Sequence, residues 1–165
     1  MLLLGNHDYQ YLHYPREECS RLRPSMQKGL TFLFNKHRLD FKIAYQRGNH
    51  LATHAGITNT WFKEFDIAAK ANDQKLNVAD LLNQIEYGNS RRILSTIGEV
   101  RGGFGNGGPL WADITETTVD MLDGYQQIVG HSRIHDIMKV EYTGKSTTYI
   151  DVLDKQIKFL ELDIV

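Results

Sequence analysis

Residues 1–8 read MLLLGNHD, an apolar run that ends abruptly in Gly and three polar residues. A continuous apolar run bounded by Gly is typical of a buried strand in a parallel sheet. Similar strand ends recur later, because Ala-Thr precedes His54 and Ile-Val-Gly precedes His131. Ligands of open α/β sheets bind beyond the carboxyl ends of the strands, so we expect Asn6, His54 and His131 to meet in one crevice. The recurrence predicts an α/β fold with a site at one edge of the sheet.

Composition sets broad limits on the class of protein. The 165 residues suffice for one domain with a proper core, and we treat 1–165 as that domain. Nineteen Lys and Arg against twenty Asp and Glu leave a net charge of -1, so no overall field indicates nucleic acid or membrane as a partner. Cys19 is the only cysteine, which excludes an internal disulfide and favours a cytoplasmic location.

Patterning and turn residues predict the other elements. A hairpin is expected from strands 41–46 and 51–57 around the turn at Arg47–His50. Residues 30–35 fit either a strand or a short helix. Helices are predicted over 8–23 with a break at Pro15, over 77–83 after an Asn77 cap, and over 117–122. Further strands are predicted over 127–129, 137–142, 146–153 and 156–162.

The side chains at the three strand ends permit two interpretations. An Asn amide oxygen and neutral imidazole nitrogens can bind Mn, Fe or Zn, and three such ligands leave positions open for water and substrate. Alternatively, His54 and His131 are hydrogen-bonded strand-end histidines without a metal, and Asn6 or Asp8 caps the following helix. The residue types alone leave both interpretations open.

Four short motifs occur in a characteristic order: GNHD at 5–8, HAGI at 54–57, LWAD at 110–113 and GHS at 130–132. In order and approximate spacing they resemble the later motifs of the calcineurin-like metallophosphoesterases, especially serine/threonine phosphoprotein phosphatases and symmetrical dinucleoside tetraphosphatases. The resemblance implies the C-terminal part of a four-layer αββα fold, with mixed sheets and flanking helices. It also implies hydrolysis of phosphomonoesters, including phosphoproteins, with dinucleoside polyphosphates as the alternative substrate.

The resemblance implies a metal centre. Its ligands on this chain would be Asn6, His54 and His131, and the ions would be manganese or an iron–zinc pair. Two upstream family motifs, Asp-x-His-Gly and Gly-Asp-x-x-Asp-Arg-Gly, are absent from the sequence, so the domain is expected to be truncated relative to the family. Because the remaining ligands carry no negative charge, we expect weak metal binding and little activity from this chain alone.

Two residues beside Asn6 receive catalytic roles from the same resemblance. His7 would protonate the leaving oxygen, and imidazole groups suit such work because they titrate near neutrality. Asp8 would begin the following helix, where a carboxylate complements the helix dipole, and would help to orient His7.

Substrate contacts are expected near the glycine-rich stretch 102–108, whose backbone can approach a ligand closely. Arg101 is the first candidate for binding a substrate phosphate, with Arg92 and Arg133 as alternatives. Asp113 of the LWAD motif is expected to face the cleft.

A second class of function is also open. Without early strands, the strand at 2–4 would have an unpaired edge, which favours self-association or a complementing segment. The chain would then be a catalytically inactive remnant that acts as a binding or assembly module. The phosphoesterase hypothesis requires a phosphorylated substrate as partner, whereas the hypothesis of a binding module requires a second copy of the chain or a complementing segment.

Overall fold

A computed structural model describes residues 1–17 and 19–162, and in this part of the chain it shows an α/β architecture with mixed sheets and flanking helices. The strands are β1 Leu2–Leu3, β2 Phe41–Lys42, β3 Ala44–Arg47, β4 His50–Thr53, β5 Gln126–Val129, β6 Met138–Tyr142 and β7 Lys145–Tyr149. The helices are α1 Asn6–His13, α2 Pro24–Lys36, α3 Asn59–Glu64, α4 Ile67–Gln74, α5 Val78–Tyr87 and α6 Ile114–Val119. The α/β prediction is confirmed at this level, and the four-layer detail stays unconfirmed.

The larger sheet has five strands in the order β3-β4-β5-β7-β6. Its central pairs β4–β5 and β5–β7 are parallel, whereas β3–β4 and β6–β7 are antiparallel. In the β4–β5 pair Thr53 lies opposite Val129. The two parallel strands therefore end at the same edge, immediately before the polar residues that follow them.

Local sequence explains two predicted elements well. The hairpin joins β3 and β4 through a turn in which Gly48 has a φ of 58°, a conformation that suits Gly. Helix α5 begins after Asn77, whose side-chain oxygen accepts a hydrogen bond from the Asp80 amide at 2.8 Å. Asn83 of α5 then bonds to the Ala44 backbone and ties the helix to β3.

Other predictions need correction. For residues 30–35 the helical alternative is right, but the helix is longer than expected: they belong to α2, which starts at Pro24, where the fixed φ of proline suits the first helical turn. Helix α1 ends at His13, well before position 23. The predicted strand over 156–162 is absent from the described residues, because Gln156 and Lys158 bond through their side chains to His135 and Asp136 instead of joining a ladder.

The core packs between the sheet and helices α3 to α5. Trp61 is fully buried there, and its indole N–H donates to Thr96 Oγ1 at 2.9 Å and to the Ile93 carbonyl at 3.2 Å. Leu81 and Leu82 of α5 are buried beside it. The apolar face of α5 thus packs against the sheet whose parallel strands end in the polar residues.

Strand β1 is paired in parallel with β2, and within the described ranges no second strand pairs with it. Leu2 is 57% exposed. The structure thus has an open edge at this position, and association through it stays a prediction. No helix in the described part of the chain is both long enough and apolar enough to cross a bilayer.

Gly103 and Gly29 offer a matched test of backbone packing in this fold. A Cβ at Gly103 would lie 1.9 Å from the Ile97 carbonyl oxygen, whereas a Cβ at Gly29 in α2 meets nothing within 4 Å. We expect Gly103→Ala to lower the free energy of unfolding by about 1–3 kcal/mol. Gly29→Ala should raise it by about 0.5–1 kcal/mol, because Ala loses less backbone entropy in a helix. Urea unfolding followed by circular dichroism measures the free energy of unfolding of both variants. Equal changes in the two would contradict the close packing of Gly103 against Ile97.

Candidate functional site

Three polar side chains from distant positions meet at the edge where the parallel strands end. Asn6 begins α1 shortly after β1, His54 directly follows β4, and His131 follows β5 by two residues. His54 Nε2 lies 3.1 Å from Asn6 Oδ1 and 3.0 Å from His131 Nδ1. The structure thus brings together the three residues that the sequence placed at strand ends, and their roles stay predictions.

Backbone contacts hold these strand ends together. The Gly130 amide donates to the His54 carbonyl at 2.9 Å, which extends the β4–β5 pairing past the last residues of both strands. Gly5 is required on the other side, because a Cβ there would lie 2.9 Å from the His54 ring. His131 has a φ of 64°, a conformation rarely adopted by residues other than Gly.

We infer the positions of the imidazole protons from these contacts, with the Asn6 amide oriented so that its oxygen faces His54. Asn6 Oδ1 can only accept, so His54 Nε2 carries a proton, which it shares between Asn6 and His131 Nδ1. If His54 Nε2 carried no proton, its lone pair would face a lone pair of Asn6 Oδ1. His131 Nδ1 is therefore an acceptor, and the neutral ring carries its proton on Nε2. That Nε2 is buried and has no hydrogen-bond partner among the described residues.

Burial keeps both imidazoles neutral. Loss of solvent contact, together with the neighbouring His131, lowers the pKa of His54 to about 3. Burial and the Arg101 charge lower the pKa of His131 to about 4. The pair is thus uncharged at neutral pH.

A cleft of about 450 Å³ opens beside this cluster. Its lining consists of Asn6, His7, Ser20, Arg21, His54, Arg101, Trp111, His131, Arg133 and Asp151. The Trp111 ring meets the His131 ring edge to face at 5.8 Å between centroids. Guanidinium and imidazole groups outnumber carboxylates in this lining, which suits an anionic ligand.

His7 reaches the cleft as an exposed side chain on α1. Its Nδ1 lies 3.5 Å from Cys19 Sγ and 3.5 Å from Gln10 Nε2. Asp8, which was expected to orient His7, instead accepts a hydrogen bond from the Gly5 amide at 3.0 Å. The Asp8 carboxylate therefore stabilises the start of α1, and its predicted catalytic role is untested.

Arg101 and Asp113 form an ion pair at the side of the cleft. Arg101 Nη2 lies 2.8 Å from Asp113 Oδ2 and donates to Ser132 Oγ at 3.1 Å. Asp113 caps α6. Burial raises the pKa of Asp113, but hydrogen bonds from Thr115 and the Arg101 charge outweigh it and lower that pKa. Asp113 lies behind Arg101, outside the cleft lining, and fixes the guanidinium in place.

The structure adds cleft residues that the sequence did not single out. Ser20, Arg21 and Asp151 line the cleft, whereas Arg92, one of the proposed alternatives to Arg101, does not. Arg21 has a φ of 69° in a short turn, and no motif marks such a position. Only spatial proximity identifies these residues.

Comparison with known proteins yields a similarity of fold. No family model and no curated protein matches the chain. The crystal structure of the cold-active protein-tyrosine phosphatase of the psychrophile Shewanella sp. matches over 91% of this chain and 48% of that chain, with 16% identity and a TM-score of 0.52. A point mutant of a cold-active protein tyrosine phosphatase matches over the same shares, with 15% identity and a TM-score of 0.49. The chain thus spans about half the length of the solved phosphatases that it matches.

These comparisons correct the family assignment. The prediction of a calcineurin-like metallophosphoesterase is wrong by this comparison, because no family model matches and the solved structure with this fold is described as a protein-tyrosine phosphatase. What the two share at 16% identity is the fold.

The predicted manganese or iron–zinc cofactor is corrected as well. Across residues 1–17 and 19–162, no group of three or more His, Cys, Asp and Glu side chains is arranged to hold a metal ion. Asn6, His54 and His131 provide one amide and two neutral rings without a carboxylate, and they hydrogen-bond to one another. With the cofactor withdrawn, the individual roles predicted for these three residues stay untested.

The neutral imidazole pair predicts how stability depends on pH. A His with a lowered folded pKa leaves the unfolded chain binding more protons, so stability is lost as pH falls from about 6.5 towards the folded values of about 3 and 4. We expect urea midpoints to fall across this window, and to fall less steeply in His54→Gln. The same dependence of the urea midpoint on pH in the wild type and in His54→Gln would contradict the buried neutral state of His54.

Proposed function

We propose that this site hydrolyses phosphate esters. Two observations support the proposal: a cleft rich in guanidinium and imidazole groups, and a fold shared with a structure described as a protein-tyrosine phosphatase. The convergence of Asn6, His54 and His131 beside Arg101 carries most weight, because it brings neutral N–H donors and a fixed cation to one point. Phosphomonoesters, including phosphoproteins, are the proposed substrates.

Arg101 is the proposed phosphate-binding residue. Guanidinium groups bind phosphate oxygens through short, charge-assisted hydrogen bonds. Asp113 and Ser132 hold Arg101 in one orientation, so little side-chain freedom is lost when a ligand binds. Because the Asp113 carboxylate touches only part of the guanidinium fork, the remaining N–H groups are available to the cleft.

His131 provides a second contact to the phosphoryl group. Its Nε2–H is buried without an acceptor in the described structure, and a buried donor without a partner is costly. Because His131 lines the cleft, an anionic phosphoryl oxygen that displaced the atoms covering Nε2 would satisfy this donor. Asn6 and His54 are positioning residues in this scheme, because their hydrogen bonds keep the His131 proton on Nε2.

His7 is the proposed proton donor to the leaving oxygen. Its imidazole lies on the cleft and is exposed, so it can exchange protons with solvent. In the proposed step the oxygen of a water molecule bonds to phosphorus, the bond between phosphorus and the leaving oxygen breaks, and His7 transfers its proton to that oxygen. The protons of the attacking water pass to the phosphate product and to solvent.

A pair of substrates tests the role of His7. Phenolate is a much stronger base than p-nitrophenolate, so it needs a proton donor far more when it leaves. We expect His7→Gln to lower kcat for phenyl phosphate by about a hundred-fold or more, and kcat for p-nitrophenyl phosphate much less. His37→Gln removes an exposed imidazole outside the cleft and should leave both rates unchanged. Equal losses with both substrates would assign His7 a structural role only.

Arg101→Gln tests phosphate binding. We expect the KM for p-nitrophenyl phosphate to rise by about ten-fold or more, because a charge-assisted contact to the substrate is lost. Arg92→Gln makes the same charge change on the surface outside the cleft and should not alter KM.

Two outcomes would contradict the proposal directly. Absence of turnover by the wild-type chain would favour the inactive binding module. Turnover that appears only after addition of Mn²⁺ would show that the chemistry depends on a metal.

A further inference from the structure

We infer that Arg21 and Arg133 form a second anion-binding subsite, so that the cleft takes a ligand with two phosphate groups. The inference rests on the proposed function for the first phosphate, which Arg101 and His131 bind. Arg21 and Arg133 line the same cleft but belong to different segments of the chain. They differ from Arg101 in having weaker ion pairs or none in the described part of the chain.

The ion pairs of the three arginines differ. Arg101 is held 2.8 Å from Asp113, which compensates its charge. Arg133 Nη1 lies 3.9 Å from Asp154 Oδ2, and the side chains are 63% and 37% exposed, so water weakens this contact. For Arg21 the described part of the chain provides no ion pair. Two guanidinium charges therefore face the cleft with little compensation.

The carboxylates of the cleft do not remove this excess. Asp151 is the carboxylate that the cleft lining contains, against the three guanidinium groups. The imidazoles of His54 and His131 are neutral when buried, so they add donors without adding charge. After the Arg101–Asp113 pair is set aside, one carboxylate faces two cations. The cleft therefore keeps a positive charge beyond the Arg101–Asp113 pair.

Arg21 is not on a loose loop. The turn that carries it is tied to α1 on both sides: the Cys19 amide donates to Gln10 Oε1 at 3.3 Å, and the Arg23 amide donates to the Tyr11 hydroxyl at 3.0 Å. Between these ties Arg21 adopts a φ of 69°, which residues other than Gly rarely adopt. The tied turn therefore sets the Arg21 backbone in a defined place beside the cleft.

The volume of the cleft agrees with a ligand larger than one phosphate. The cleft has a volume of about 450 Å³. A phosphate ion has five heavy atoms, so it fills a minor part of this space. The cleft thus has room for a ligand larger than one phosphate, and Arg101, Arg21 and Arg133 all line it.

Binding of inorganic phosphate and inorganic pyrophosphate to the 165-residue chain tests the subsite by isothermal titration calorimetry. We expect the wild-type chain to bind pyrophosphate at least about ten-fold more tightly than phosphate, because the second phosphate gains charge-assisted contacts. Arg21→Gln and Arg133→Gln should each reduce this preference several-fold and change phosphate affinity little. Arg23→Gln removes a nearby exposed charge that does not line the cleft, and should keep the wild-type preference.

The outcomes separate the subsite from the phosphatase activity. A pyrophosphate preference that depends on Arg21 and Arg133 supports the subsite even if no ester is hydrolysed. Equal affinities for the two ions, no measurable binding of either, or equal losses in Arg21→Gln and Arg23→Gln would overturn it. Ester turnover without any pyrophosphate preference would keep the proposed function and overturn the subsite alone.

Discussion

The hydrogen bond between His54 and His131, at 3.0 Å, is the contact on which the candidate site depends. It exists because β4 and β5 are parallel neighbours in register, so that the residues after Thr53 and Val129 emerge at the same edge of the sheet. The bond between the Gly130 amide and the His54 carbonyl carries this register one step further. A shift of either strand by one residue would turn one imidazole away from the other.

Neutral side chains and cations have separate tasks in this cleft. Burial keeps His54 and His131 uncharged, so they contribute oriented N–H groups, while Arg101 contributes charge that Asp113 holds in place. In the proposed function, such an arrangement would bind an anion without first having to reorganise. The exposed His7 differs from the buried pair because solvent reaches it, and proton transfer requires that access.

The sequence predicted the elements that local chemistry determines. The strand in the apolar run at 2–4, the hairpin turn at Gly48 and the Asn77 cap each have a short-range cause, and the structure contains all three. The expected burial of that strand is wrong for Leu2, which is 57% exposed. The strand expected over 156–162 is wrong for the described residues. Its sequence pattern fits a strand, but the segment is held by side-chain hydrogen bonds and joins no ladder. Arg21 was missed because its place beside the cleft comes from ties to Gln10 and Tyr11, which no local pattern encodes.

The chemical interpretation went further than the residues allow. Strand-end Asn and His side chains were expected to meet, and the structure brings them together, yet their type and order do not determine what they hold. The family and metal assignments were inferred from four short motifs, and the comparisons overturned both.

The protonation of the two buried histidines is the most direct test of the site. Nitrogen-15 NMR of the chain with labelled histidine, at neutral pH, distinguishes a protonated ring nitrogen from one that accepts a hydrogen bond. We predict neutral rings for His54 and His131, each with its proton on Nε2, and an accepting Nδ1 on His131. A positively charged ring at either position, or a His131 proton on Nδ1, would contradict the hydrogen-bonded cluster from which the proposed chemistry follows.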